Sequence, residues 1–237
     1  MDKETFDSIC SDIETSYAEL GHTLGWRFLM GPQATLSDKT KLALITLNPG
    51  GHVEPPDHPR KSVENGNAYF VEQWRNTPAG QDPLQVQVQA LMAEFQERLN
   101  NGYSVRQFAD TSILCAYFIP FRSPRFQDLP RKHETLAFAK KLWRQILSIL
   151  SLNCIITIDR ETFSAMEELV ILRNGNFERK AFESGWGNYC FEASRCYAAD
   201  GRTVTVARFP HLSTFKVFSR SACRPHIQTF LDYVTAT

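Results

Sequence analysis

The sequence predicts an α/β fold: a three-layer αβα sandwich around a mainly parallel four-stranded sheet, in a single domain spanning residues 1–237. Three observations carry that expectation. Four short apolar, β-branched runs are each bounded by turn or helix signals. Helical patterns stand between them, and strands alternating with helices build a largely parallel sheet covered on both faces. The chain of 237 residues, 43% apolar and 22% charged, is long enough to bury one substantial core.

In chain order, a helix is expected over 3–20, followed by the first strand, "KLALITL" (41–47). Residues 82–99, "DPLQVQVQALMAEFQERL", repeat apolar side chains at helical spacing. The second strand is "TSILCAYFI" (111–119). The helix over 134–150 has the strongest apolar stripe, formed by Leu136, Leu142, Trp143, Ile146, Leu147 and Leu150. "NCIITI" (153–158) is the third strand, and a helix over 160–170 opens directly after it. Residues 177–201 alternate poorly and carry Gly185, Gly187 and Gly201, which suits a hairpin or excursion. "RTVTVARF" (202–209) is the fourth strand, and a helix over 224–234 closes the chain. Ligands of such sheets bind outside the carboxyl ends of the strands. That rule selects the loops 48–70, 117–130 and 210–220.

Lys plus Arg and Asp plus Glu each number 26, so net charge predicts neither nucleic-acid nor membrane binding; either partner needs a local patch. No apolar run approaches the roughly 20 residues of a membrane span. The polar, acidic start "MDKETFDSIC" is unlike a signal peptide, so a cytoplasmic, monomeric, soluble protein is expected. The six cysteines (Cys10, Cys115, Cys154, Cys190, Cys196, Cys223) form no C-x-x-C pair, and Cys115 and Cys154 sit in apolar runs as buried thiols. For the nearest pair, Cys190 and Cys196, spacing alone leaves a disulfide or a metal site open.

Three segments carry candidate chemistry. "NPGG" follows the first strand. Asn48 offers a donor and an acceptor, Pro49 stiffens the turn, and Gly50 and Gly51 permit close backbone approach. Taken alone, a plain turn explains this tetrapeptide better than a site does. "FIPFRSPRFQDLPRK" (118–132) places Arg122, Arg125, Arg131 and Lys132 among prolines after the second strand, in a pattern suited to phosphate or to capping the next helix. "RFPHLSTFKVFSR" (208–220) sets His211 and Ser213 among aromatics, Lys216 and Arg220. Between Gly201 and Leu231 lie five basic and no acidic residues. Such a stretch fits phosphate contacts and base stacking, or a solvated face over core phenylalanines.

Taken in order, "LNPGG", the Pro/Arg loop, "LSLNCIITIDRETFSAM" and the His-x-Ser loop make the chain resemble the uracil-DNA glycosylase superfamily over about residues 24–234. The N-P-G form is closer to the mismatch-specific and single-strand-selective branches than to the iron-sulfur branch, whose clustered cysteines are missing. The resemblance implies a glycosylase-like fold and a DNA partner. It also implies hydrolytic excision of a flipped-out base without metal or organic cofactor. Asn48 matches the residue that places the water, and His211 matches the one that stabilises the leaving base. Pro49, Gly50, Gly51, His52 and Tyr117 fall in the implied base pocket, with Tyr69 or Phe70 as the stacking aromatic. Ser213, Arg122, Arg125, Lys216 and Arg220 match DNA contacts, and Phe215 lies near the wedge that fills the vacated stack.

The departures bear on substrate. Thr46 and Leu212 stand where the family commonly has glycine and proline. No asparagine ends the second strand, where Cys115, Ala116 and Tyr117 stand, so a modified pyrimidine competes with uracil or mismatched thymine as the target. In phage DNA such a target would make this a defence enzyme. Glu54, Asp57 and Glu64, with His52 and His58, are further candidates for catalytic or substrate contacts in the polar stretch after the first motif. Two rival readings remain: a glycosylase fold that binds DNA or protein without catalysis, and a hydrolase of small nucleosides.

Overall fold

The computed structural model describes residues 2–99, 102–174, 176–197 and 202–236. Gly201, part of the expected excursion, lies outside them. The elements run α1 (Lys3–Glu19), β1 (Leu42–Thr46), α2 (Ala68–Val71), α3 (Pro83–Leu99), α4 (Val105–Thr111), β2 (Ile113–Tyr117) and α5 (Lys132–Ile149). They continue with β3 (Cys154–Thr157), α6 (Arg160–Asn174), β4 (Asn176–Glu183), β5 (Cys190–Tyr197), β6 (Thr203–Arg208), α7 (Leu212–Phe215) and α8 (Arg224–Thr235).

The α/β class is as expected, but the sheet is not four-stranded. It has six strands in the order β2-β1-β3-β6-β5-β4. The four expected strands are mutually parallel, and β5 and β4 add an antiparallel extension beside β6. The reason lies in the segment read as a hairpin or excursion, which is a hairpin and joins the sheet. Most of β4 is exposed, so it shows little of the alternation that marks a half-buried strand, whereas Phe191, Ala193 and Cys196 of β5 face the core. Residues 105–110, outside any expected element, and Thr111, expected to open the second strand, form α4, started by a Ser104–Gln107 capping box.

Each central strand divides its side chains between two helical layers, as period-two geometry requires. Ala43, Ile45, Leu114, Ala116 and Ile155 pack with Phe6 and Ile9 of α1, Leu142 and Trp143 of α5, and Phe163 and Met166 of α6. Leu42, Leu44, Ile113, Cys115 and Ile156 pack with Val88 and Leu91 of α3, Phe108 of α4, and Ile227 and Phe230 of α8. The strands therefore read as continuous apolar runs. All six cysteines are free. Among the described residues no helix is long and apolar enough to cross a membrane.

The outer edge of β2 is covered by residues 26–30, through bridges Trp26–Phe121 and Leu29–Ala116. This covering protects an otherwise open edge and carries Arg27 to the carboxyl end of the sheet. At the other edge the β4–β5 turn docks on the end of the chain. Gly185 has φ +73°, and a Cβ there would lie 2.5 Å from the Ala222 carbonyl oxygen. Gly185→Ala is therefore expected to lower stability by at least about 1–2 kcal/mol, seen as a reduced urea midpoint. An unchanged midpoint would mean that the turn does not dock as described.

Candidate functional site

The carboxyl ends of all four parallel strands open into one cleft of about 620 Å³. Asn48, Gly50 and Gly51 reach it from β1, Tyr117 and Arg122 from β2, Asp159 from β3, and His211 and Ser213 from the loop after β6. Asn48 and His211, 163 positions apart in sequence, thus line the same cavity. A smaller hollow of about 200 Å³ near the start of β3 is lined by Leu147, Leu150, Ile155 and other aliphatic side chains together with Lys41, Arg202, Ser151 and Asn153. It has no acid or imidazole in its wall.

The first lip is held by backbone. Pairing between the β1 and β2 chains continues past both strands, from Phe118 N–H to the Thr46 carbonyl (2.7 Å) and Ile119 N–H to the Leu47 carbonyl (2.8 Å). Ser123 N–H then donates to the Pro49 carbonyl at 3.0 Å. The Asn48 Nδ2 donates to the carbonyls of Pro49 (2.9 Å) and Ser123 (3.1 Å), which leaves its Oδ1 as the open acceptor. Gly51 has φ +97°, a conformation that favours glycine, while the Cβ position of Gly50 faces open space.

On the opposite lip, His211 Nδ1 lies 3.0 Å from Ser213 Oγ. Burial lowers the His211 pKa, so the ring is neutral at pH 7. If the serine hydroxyl donates to Nδ1, the proton sits on Nε2 and is available as a donor.

Arg27 and Trp74, neither marked by a local sequence pattern, also line the cleft. Arg27 is buried and grips Glu72 with both terminal nitrogens, Nη1 to Oε2 at 2.9 Å and Nη2 to Oε1. Trp74 Nε1 also donates to Glu72 (2.9 Å), and His58 Nε2 stands 3.6 Å away. Burial alone would raise the Glu72 pKa, but the bonds and charge of Arg27 bring it below the ordinary carboxylate value. Desolvation lowers the pKa of His58. The partners in the Arg27–Glu72 pair are 45 residues apart, and only the tertiary fold joins them. Asp159 had a legible signal, an acid at the carboxyl end of a parallel strand and the start of a helix. Its Oδ1 accepts from Thr162 N–H at 2.7 Å, and its Oδ2 is buried without a partner among the described residues. Burial pushes the Asp159 carboxyl up to about 6, against the opposing pull of the Thr162 bonds.

The remaining expected site residues are distributed unevenly. Tyr69 is buried, lines the cleft and packs edge-on against Trp74, with ring centroids 5.3 Å apart. Phe70 is packed against the core, and neither it, Pro49 nor His52 is among the lining side chains. Arg125 is at the cleft but pairs with Asp128 at 2.8 Å. Phe215, Lys216 and Arg220 lie outside the cleft lining. The Phe215 ring packs 4.3 Å from that of Tyr189, and the Arg220 guanidinium stacks 3.5 Å over Trp186. Lys216 is exposed. Of the acids proposed after the first motif, Glu54 pairs with Arg60, Glu64 accepts from Gln33 N–H, and Asp57 is exposed; none lines the cleft. No protein-family model matches the chain, and no curated protein matches it.

Two outcomes check this electrostatic description. Glu72→Gln, which strands the Arg27 charge, is expected to cost about 3–5 kcal/mol in urea unfolding. Replacing both partners by methionine is expected to cost much less. A raised acid pKa means that the folded state holds its proton more tightly than the unfolded chain, whose value is near 3.8. The resulting stability is complete below about pH 4 and is lost as pH rises through 6. Asp159→Asn keeps an acceptor for Thr162. It is expected to melt higher than the wild type at pH 7.5, by at most ~3 kcal/mol, with the gap closing towards pH 4. A gap independent of pH would contradict the assignment.

Proposed function

We propose that the chain is a monofunctional DNA N-glycosylase, which extrudes a base into the cleft and cleaves its glycosidic bond with water, using no metal or organic cofactor. The observation that carries the reading is the convergence of Asn48 and His211 on one cavity from opposite ends of the sequence. Cleavage of the bond between C1′ and the base nitrogen generates a cationic sugar and an anionic base. The reaction therefore needs an acceptor to hold water on one side and a donor on the other. Asn48, with its amide nitrogen tied back, presents Oδ1 to the water. His211, neutral and braced by Ser213, presents Nε2–H to the leaving base. Tyr69 is the stacking surface for the base, and the exposed Lys216 and Arg125 meet backbone phosphates.

The substrate favoured is a modified pyrimidine. A cleft of about 620 Å³ is roomier than an unmodified pyrimidine requires, and Arg27, Arg75, His58 and Asp82 give its wall a polar lining. A defence role against modified phage DNA follows from that preference. The second reading, a module that binds DNA without catalysis, draws on the same cleft and on the asparagine in place of a carboxylate at position 48.

Incubation with a panel of duplexes bearing unmodified and 5-substituted pyrimidines, then alkali to cut abasic sites, separates the two. Released base is expected, with Asn48→Ala and His211→Ala each slowing the step about 10²–10³-fold at unchanged melting temperature. Tight DNA binding with no abasic product would establish the binding module instead. Affinity is expected to fall steeply with salt, and a flat response would contradict phosphate contacts.

A further inference from the structure

Arg122 is the least compensated charge in the cleft wall. The residue is 7% exposed, and its Nη1 donates to the Gly50 carbonyl. Its Nε is buried without a partner, and no carboxylate forms an ion pair with it among the described residues. Glu54 and Glu72 lie near enough to favour its charge, but Glu54 is paired with Arg60. Arg27 and Glu72 cancel one another, and His58 is kept neutral at pH 7 by burial. Asp159, ionised above about pH 6, enters the same cleft from β3 but forms no ion pair with Arg122 among the described residues, so the guanidinium stands without a carboxylate partner on the side of Tyr117 and the Gly50–Gly51 turn.

A buried, unpaired charge costs several kcal/mol, and a tie to one backbone carbonyl is within reach of any neutral donor. Structure alone gives little reason for a guanidinium here. A phosphate grip is also a poor fit, because outward-facing cations such as Lys216 are free to make such contacts while Arg122 is enclosed.

We infer that Arg122 is a further catalytic residue that stabilises the base as it departs as an anion, a role that rests on the glycosylase reading. When the C1′–N bond breaks, its electron pair stays on the base nitrogen and spreads to the ring carbonyl oxygens. Water oxygen bonds to C1′, the water gives up one proton to solvent, and the base anion takes one up. Water and a DNA nucleotide thereby become an abasic sugar and a neutral free base. The intact base is uncharged and the departing one is an anion, so a fixed cation in a low-dielectric wall favours the transition state over the bound substrate. His211 donates one hydrogen bond from the opposite lip, and Arg122 supplies full charge from within.

The test compares wild type, Arg122→Lys and Arg122→Gln, the last of which retains a donor for the Gly50 carbonyl. Single-turnover release is measured from duplexes bearing uracil or 5-fluorouracil, whose fluorine makes the better leaving anion. Arg122→Gln is expected to slow uracil release about 10²–10³-fold with little change in DNA affinity, and to slow 5-fluorouracil release markedly less. Arg122→Lys retains most of the rate. Arg122→Gln is also expected to melt no lower than the wild type. Equal slowing on both bases, or a loss confined to DNA affinity, would overturn the inference.

A second arm needs no turnover. Free 5-nitrouracil is titrated as anion and as neutral base, following quenching of Trp74, which lines the cleft. The wild type is expected to prefer the anion, with Arg122→Gln binding it at least tenfold more weakly, and equal binding would end the proposal. If the wild type releases no base from any DNA, the glycosylase reading falls, and with it the catalytic role. Anion binding lost in Arg122→Gln would then leave Arg122 as the centre of an anion site.

Discussion

The cleft depends on one constraint, the parallel pairing of β1 with β2 carried beyond the ends of both strands. Once Phe118 and Ile119 donate to the carbonyls of Thr46 and Leu47, the two loops cannot separate. The bond from Ser123 N–H to the Pro49 carbonyl then closes a small frame of backbone. Asn48 reaches across it to the Ser123 carbonyl, and Arg122 reaches back to that of Gly50. Trp143 of α5 fastens the frame from behind by donating to the Phe118 carbonyl at 3.0 Å. The polar side chains at this lip are therefore positioned by main chain, whose geometry varies little, rather than by one another.

The same end of the sheet gathers groups that cost stability. Asp159 is partly desolvated and holds its proton up to about pH 6, and Arg122 has no carboxylate. The Arg27–Glu72 pair is well formed, yet Arg27 still has an unpartnered buried Nε. At the amino ends of the strands the smaller hollow is lined mainly by leucine, isoleucine and valine, with Lys41 and Arg202 but no acid in its wall. Strain of this kind, concentrated at one end of an otherwise apolar sandwich, is the pattern expected where binding or chemistry takes place.

What was legible in the sequence follows from which forces are local. The parallel strands are buried on both faces and announce themselves as apolar runs, and the long helices carry their stripe at fixed spacing. The rule that ligands sit beyond strand carboxyl ends selected loops that line one cleft. It reached Asn48 and His211 because the polar residue of each stands within a few positions of its strand. β4 was missed as a sheet member because an exposed edge strand needs no apolar alternation. Arg27 and Glu72 were missed because their meaning lies in mutual contact across the fold, which no spacing encodes, whereas His58 stood out among the polar residues after the first motif. In the basic segment from 201 onwards the fold engages some of the side chains that suggested phosphate and base contacts. Arg220 is occupied by Trp186 and Phe215 by Tyr189, so composition counted charges and rings that the fold had already committed.

An asparagine at position 48 narrows the chemistry that the cleft can perform. An amide accepts a hydrogen bond from water but does not remove its proton, so attack by water on an intact glycosidic carbon would lack a base at this lip. A cationic sugar makes the lesser demand, because water adds to such a centre without prior deprotonation and needs only to be held in place. The burden then moves to the departing base, whose negative charge has to be met as it forms. On the proposed glycosylase reading, the oriented Asn48 amide oxygen and the Arg122 guanidinium stand at the first lip and the neutral His211 imidazole at the opposite one. Asp159, largely enclosed and with one oxygen held by the start of α6, adds a negative charge to the same cavity only as pH rises through about 6. In its ionised form it favours the sugar cation and opposes the base anion, so its net effect depends on which of the two it stands nearer.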